Sequence, residues 1–184
     1  MKKENLTKKI ARLAIFLALG IVLNIIESLI PLPIAIPGIR LGLANTMGLI
    51  VLYFYSPKDY IILGGLRVFF VGLLRTGLGS VGFLLSLSGW LISSLVTLLL
   101  YFFKKSSIYS LSVISAMFHQ VGQIVMVVII YQLPSMVNYL PVLLITGCVS
   151  GFLVAFISKK ILELLNRIFQ VKNQNVQEKS EISK

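Results

Sequence analysis

The sequence is poor in the residues that most often carry out chemistry. It has one cysteine (Cys148), one histidine (His119) and one aspartate (Asp59). A single cysteine forms no disulfide within one chain, and one histidine with one cysteine completes neither a zinc site nor a haem ligand pair. Clustered aspartates that would hold Mg²⁺ on a diphosphate and a GxxxxGK[ST] phosphate-binding loop are both missing. We therefore expect no resident metal or cofactor and no enzymatic activity.

Charged residues are also scarce, because they make up 12% of the chain against 57% for hydrophobic residues. Soluble domains have about 25% charged residues, so this composition predicts an integral membrane protein. The net charge of +11 would suit nucleic acid. The basic residues, however, lie at the ends of hydrophobic segments, where they act as topology signals. We therefore expect a lipid bilayer, and no nucleic acid, as the surroundings of this protein.

Long apolar runs separated by proline, glycine and charged residues predict six membrane-spanning helices. The predicted spans are about Leu6–Ile30, Leu41–Tyr55, Tyr60–Leu78, Gly79–Phe103, Ser107–Tyr131 and Ser135–Leu165. The fold class is therefore an all-α integral membrane protein with six transmembrane helices. These helices form one domain over residues 1–168, and the polar composition of residues 169–184 predicts a disordered cytoplasmic tail.

The distribution of lysine and arginine predicts the orientation of the chain in the membrane. Basic residues cluster before the first span and after the second, fourth and sixth spans: Lys2, Lys3, Lys8, Lys9, Arg12, Lys58, Lys104, Lys105, Lys159, Lys160, Arg167 and Lys172. The opposite side has only Arg40 and Arg75. Because cytoplasmic loops are the basic ones, we expect both termini in the cytoplasm.

Polar and ionisable side chains inside apolar spans are costly, so each of them is a candidate for function. At about 1.5 Å per residue, most of them lie in the outer halves of their spans. Two helical faces stand out, Gly20–Asn24–Glu27 in the first span and Ser115–His119–Gln123 in the fifth. The candidate substrate-binding residues are Glu27, Arg40, Asn45, Arg67, Arg75, Ser86, His119 and Gln123.

Structural roles for the same residues stay open at this point. Amides such as Gln120 can hydrogen-bond between helices, and His119 can be a packed imidazole. Glu27 can pair with an arginine, while Arg40 and Arg75 can extend to the membrane surface. The arginines outnumber this glutamate, however, and a guanidinium matches carboxylate or phosphate. A small, at least partly anionic molecule entering from outside would supply the missing partner.

The first span has small residues on a different face from its polar ones. Ala14 and Ala18 form an AxxxA pattern, which permits close approach of another helix. At about 100° per residue, Ala18 and Glu27 point to opposite sides of this helix. One face is therefore a candidate for docking a partner, with internal packing as the alternative, and the other face is a candidate pocket wall.

Several of these segments are similar to a known family. The stretches PGIRLGLANTMGLIVLY, GLRVFFVGLLRTG, SLSGWLISS and SAMFHQVGQ resemble the Gx transporter family, often labelled heptaprenyl diphosphate synthase component I, over roughly residues 10–165. This family is related to the substrate-binding S components of energy-coupling factor (ECF) transporters. The resemblance implies an ECF S-component-like helical bundle with an outward-facing site. It also implies a transmembrane coupling subunit and two cytosolic ATPases as partners, with Ala14 and Ala18 contacting the coupling subunit.

Two functions of different classes follow from these observations. The first is a substrate-capture subunit of an ATP-driven importer, a multi-pass protein of a bacterial cell membrane. In it Arg40 and Arg75 hold the anion, and Glu27 orients Arg40 or a ligand amine. The alternative is a membrane scaffold or partner subunit in an isoprenoid-quinone or extracellular electron-transfer pathway, without transport. An enzyme acting on a prenyl diphosphate is disfavoured because the acids needed to hold Mg²⁺ are missing.

Overall fold

Six α-helices make up the described part of the chain. The computed structural model describes residues 6–29, 42–103 and 107–182, with side chains for residues 6–27, 42–103 and 107–168. The helices are α1 (Leu6–Leu29), α2 (Asn45–Phe54), α3 (Pro57–Val71), α4 (Val81–Phe102), α5 (Ile108–Tyr131) and α6 (Leu140–Ile182). A π-helical turn, Gly72–Thr76, follows α3, and a 3-10 turn, Pro134–Tyr139, precedes α6. Because these residues contain no strand, the predicted all-α fold is confirmed.

Serine residues set the starts of three helices. The hydroxyls of Ser56, Ser80 and Ser107 each accept a hydrogen bond from a backbone N–H in the first turn of α3, α4 and α5. Such caps satisfy donors that have no partner within the helix. Pro57 occupies the first turn of α3, where its missing N–H costs nothing. These local signals explain why helices begin close to the predicted positions.

The six observed helices match the six predicted spans only in part, because α2 and α3 are shorter than the others. Four of the described helices are long and apolar enough to cross a membrane, namely Leu6–Glu27, Val81–Phe102, Ile108–Tyr131 and Pro134–Ile168. In contrast, α2 has 10 residues and α3 has 15, although the π-helical turn continues α3 as far as Thr76, whereas a span needs roughly 20. The reason is local, because Gly42 adopts a left-handed φ of 73° before α2 and the Ser56 cap starts a new helix after it.

The short helix α2 lies at the centre of the bundle. Its residues Thr46–Leu52 are all buried, and it packs against α1, α3 and α6. A helix that is apolar on every side belongs in the interior. The long helix α1 is peripheral by comparison, since it packs mainly against α2 and α3 and leaves Ile15, Leu19 and Val22 exposed. This outer face of α1 is available to lipid or to another protein.

Glycines allow the closest helix crossings. A Cβ atom on Gly122 of α5 would lie 2.7 Å from the carbonyl oxygen of Ser88 in α4. A Cβ on Gly151 of α6 would lie 2.7 Å from the Cα of Val113 in α5. The Ser112 hydroxyl also donates a 2.7 Å hydrogen bond to the carbonyl oxygen of Gly151. These contacts bring α4, α5 and α6 together as one packed layer.

An ion pair joins the beginnings of α1 and α3. Lys9 Nζ lies 2.7 Å from Asp59 Oδ2, and the Ser56 hydroxyl donates to the same oxygen at 2.6 Å. The start of α1 and the joint between α2 and α3 therefore lie at the same end of the bundle. Helix α6 continues to Ile182. The cytoplasmic location of both termini and the disorder of residues 169–184 stay predictions.

Candidate functional site

One cavity inside the bundle is lined by residues of all six helices. Its volume is about 80 Å³. Of the eight predicted substrate-binding residues, six line this cavity, namely Glu27, Asn45, Arg67, Ser86, His119 and Gln123. Residues that are far apart in an apolar chain are thus brought to one place. Arg40 lies outside the described residues.

Glu27 closes one side of the cavity near the end of α1. It is only 3% exposed, and its Oε1 atom accepts a hydrogen bond from the backbone N–H of Gly42 at 2.5 Å. The left-handed backbone of Gly42 suits glycine, which pays no Cβ penalty there. Glu27 therefore anchors the backbone that leads into α2, and it also presents a carboxylate to the cavity.

Arg67 and Asn45 form the second polar wall. Arg67 is 8% exposed, and its Nη2 atom donates a hydrogen bond to Asn45 Oδ1 at 3.2 Å. Asn45 is the first residue of α2. The aliphatic part of Arg67 passes Gly20 of α1, where an added Cβ would lie 3.6 Å from Arg67 Cδ. The guanidinium is thereby held inside the bundle beside α1 and α2.

The imidazole of His119 packs on a glycine of α4. A Cβ on Gly89 would lie 2.7 Å from His119 Cε1, so the absence of a side chain at Gly89 makes room for the ring. The Ser86 hydroxyl, also on α4, donates to the carbonyl oxygen of Gly82 at 2.9 Å. Ser86 can therefore offer its lone pairs to the cavity as an acceptor.

The structure does not bring Arg75 to the cavity. Arg75 lies exposed in the π-helical turn that follows α3, and it is absent from the cavity lining. The sequence places Arg75 by its depth along the span, and depth alone does not fix the direction of a side chain in the π turn that follows Val71. The predicted role of Arg75 in holding an anion is therefore not supported by its position.

Two of the three residues of the predicted face of α5, His119 and Gln123, line the cavity, and Ser115 does not. The predicted face was Ser115–His119–Gln123, but the lining residues of α5 are Ser112, Ala116, His119, Gln120 and Gln123. Ser115 is buried outside the lining. The i, i+4, i+8 spacing of Ser112, Ala116 and Gln120 is the signal that indicates this face. Asn24 of α1 also lines the cavity, one turn before Glu27.

Two amide oxygens in the cavity lack hydrogen bonds. Asn24 Oδ1 and Gln120 Oε1 are shielded from solvent and have no hydrogen-bond partner among the described residues. Buried polar atoms in folded proteins are nearly always paired with protein or with water. The lining thus combines a carboxylate, a guanidinium, an imidazole and two unmet acceptors. No group of three or more His, Cys, Asp or Glu side chains that could hold a metal occurs within the described ranges.

Ala14 and Ala18 lie on the outer face of α1, and both are exposed. This agrees with the expectation that Ala18 and Glu27 point to opposite sides. Ala14 also lines a groove of about 320 Å³ between α1 and α3, together with Leu17, Ile62 and other apolar residues. The face of α1 that carries the AxxxA pattern is therefore not used for packing inside the described bundle.

Fold and cavity together define a helical membrane protein with a polar pocket inside its bundle. The chain belongs to the heptaprenyl diphosphate synthase component I family, whose family model matches residues 16–161. The resemblance to this family, inferred above from four segments, is therefore confirmed. Comparisons with curated proteins and with solved structures find no match.

Proposed function

We propose that this protein is the substrate-binding component of an ATP-driven importer of the ECF type. It captures a small, at least partly anionic molecule from the extracellular side and catalyses no reaction. The main support is the cavity, because the polar residues of an otherwise apolar chain converge there around a buried guanidinium. An intramembrane arginine is costly, so its burial beside other polar groups is expected where a ligand is bound.

Arg67 is the anion-holding residue in this proposal. Its planar guanidinium has five N–H donors, and Nη2 donates to Asn45 Oδ1. The forked geometry of a guanidinium matches a carboxylate or phosphate. Gln123 and His119 add further hydrogen bonds from α5, and Glu27 orders the entrance through Gly42. Arg67 thus takes the role that the sequence suggested for Arg75.

The outer face of α1 is the proposed contact with a transmembrane coupling subunit, which two cytosolic ATPases drive. Ala14 and Ala18 are exposed, and small residues permit close helix approach in membranes. The groove beside Ala14 offers room for side chains of a partner helix. The face of α1 that carries Ala14 and Ala18 is opposite the face that lines the cavity. In this proposal, one helix therefore connects the ligand site with the coupling subunit.

Affinity purification of the full chain from its own membranes tests the partners. We expect the coupling subunit and both ATPases to co-purify with the wild type and to be lost from Ala14→Leu and Ala18→Leu. Cys148→Leu on α6 is the matched control, because it enlarges another exposed small residue. Recovery of redox or prenyl-transfer proteins without any ATPase would contradict the importer and favour the scaffold.

Native mass spectrometry of gently purified protein tests capture. We expect the wild type to retain a small molecule that Arg67→Gln loses and Arg75→Gln keeps, since Arg75 is outside the cavity. Equal retention by both variants would show that the bound molecule does not depend on the guanidinium in the cavity.

A further inference from the structure

Two amide oxygens without hydrogen bonds indicate that the ligand brings hydrogen-bond donors as well as a negative charge. Asn24 Oδ1 belongs to α1 and Gln120 Oε1 to α5, both residues line the cavity, and neither oxygen has a partner among the described residues. Gln120 is only 5% exposed, so bulk water does not reach it freely. An acceptor left unmet in the interior destabilises the protein. A molecule in the cavity that brings N–H or O–H groups would remove this cost.

The same cavity also holds a cation. The stem of Arg67 passes Gly20, which lies one helical turn before Asn24 on α1. The Arg67 stem thus passes α1 one helical turn from Asn24, and Gln120 lines the same cavity from α5. The volume of about 80 Å³ has room for roughly five water-sized groups, at about 15 Å³ for each. A ligand of a few heavy atoms fits these walls.

We propose that the cavity binds a small amphoteric molecule of the amino-acid class. Its acidic group lies at Arg67, and its amino group donates hydrogen bonds to Asn24 Oδ1 and Gln120 Oε1. This inference rests on the proposed capture function and adds the chemical class of the captured molecule. It narrows the partly anionic molecule of the sequence prediction, because an anion alone brings no donor for the two amide oxygens.

Thermal unfolding of the purified full chain with matched probes tests the class. The probes are glycine, with acetate and methylammonium as its two halves, and β-alanine, with propionate and ethylammonium, all at equal ionic strength. Joining two binding groups in one molecule raises the effective concentration of the second. We therefore expect glycine or β-alanine to raise Tm by more than the summed shifts of its halves.

Variants separate binding from a general solute effect. Asn24→Leu and Gln120→Met remove one unmet acceptor each, so without probe the Tm of each variant should equal or exceed that of the wild type. With probe, each variant should lose the excess, which is the part of the amino-acid Tm shift beyond the summed shifts of its halves. Because there are two single variants, the test still stands if one of them fails to fold. Asn138→Leu, at an exposed position of the 3-10 turn, is the control and should keep the excess. An excess that persists in every variant indicates stabilisation by an excluded solute and overturns the proposal.

Two further outcomes also overturn it. If acetate or propionate alone matches the amino acid in Tm shift, no donor is needed. If no probe shifts Tm, water alone meets the amide oxygens. The purification of ATPases described above depends on the outer face of α1 and not on these amides. Loss of the amino-acid effect with retained ATPases therefore refutes only this inference, and the reverse result refutes only the importer.

Discussion

Arg67 is the residue on which the chemistry of the cavity depends most. It sits on α3, four residues before that helix ends, and it is 8% exposed. Its Nη2 atom donates a hydrogen bond to Asn45 Oδ1. In an environment of low dielectric, a hydrogen bond from a charged donor is stronger than in water. A buried polar group that loses its hydrogen-bond partner there destabilises the protein. Arg67 and Asn45 should therefore depend on each other energetically.

A double-mutant cycle with Arg67→Met and Asn45→Leu measures this dependence. We expect a coupling free energy of about 1.5–3 kcal/mol, as found for hydrogen bonds to charged groups. The measurement is reversible unfolding in mixed micelles without added ligand. Arg75→Met is the control, because Arg75 is exposed in the turn after α3. Additive effects of the two substitutions would show that the 3.2 Å contact contributes nothing to stability.

The sequence predicts a candidate site well where a polar residue interrupts an apolar helix. Glu27 and His119 stand out in this way, and both line the cavity. It predicts less well where the direction of a side chain depends on tertiary geometry. Arg75 lies exposed in the π turn after α3, and Gln120 lines the cavity whereas Ser115 does not. Neither depth along a span nor helical spacing predicts these positions.

At the scale of helices, local sequence determines where one helix ends and the next begins, but it does not determine the length and burial of each helix. Ser56 and Pro57 mark the start of α3 in the sequence itself. The 10-residue length of α2 follows from the backbone turn at Gly42 and from burial on all sides of the helix. That burial is a property of the assembled bundle. The sequence therefore predicts six helices, whereas four of those in the described residues are long and apolar enough to cross a membrane.

The crossing of α4 and α5 yields a prediction about one glycine. In Gly122→Ala the new methyl group would meet backbone atoms of Ser88 and Gly89 within 3.0 Å. Backbone cannot rotate away as a side chain can, so we expect destabilisation of about 1–3 kcal/mol, measured by unfolding in mixed micelles. The control is Gly82→Ala on α4, whose nearest neighbour would lie at 3.4 Å. It should stay within about 1 kcal/mol of the wild type.

The ion pair between α1 and α3 yields a second prediction at this scale. Lys9→Met removes the partner of Asp59, which is 8% exposed and lies 2.7 Å from Lys9 Nζ. Lys9 itself is one-third exposed, which screens the pair, so we expect a loss of about 1 kcal/mol or less. Lys8→Met is the neighbouring control at an exposed position. If both variants unfold at the same denaturant concentration, the pair does not hold α1 on the bundle.

For the whole molecule, the Lys9–Asp59 ion pair and the Glu27 side of the cavity lie toward opposite ends of α1. The Lys9–Asp59 pair joins the start of α1 to the start of α3. Glu27 lies near the opposite end of α1, where it contacts Gly42 ahead of α2. If the basic end faces the cytoplasm, as the positive-inside rule requires, the Glu27 side of the cavity faces outward. Capture from outside thus depends on a topology that can be measured directly.

Cysteine labelling in intact cells tests this topology. Cys148 is exposed, so the background is Cys148→Ser, and single cysteines are then placed at Lys58→Cys in α3 and Ser135→Cys in the 3-10 turn. Both positions are exposed, and they lie at opposite ends of the bundle because three passages along it separate them, namely α3 with its π-helical turn, α4 and α5. A membrane-impermeant maleimide should label Ser135→Cys in whole cells and Lys58→Cys only after lysis. The reverse pattern would turn the Glu27 side toward the cytoplasm, and the importer proposal would then have to be abandoned.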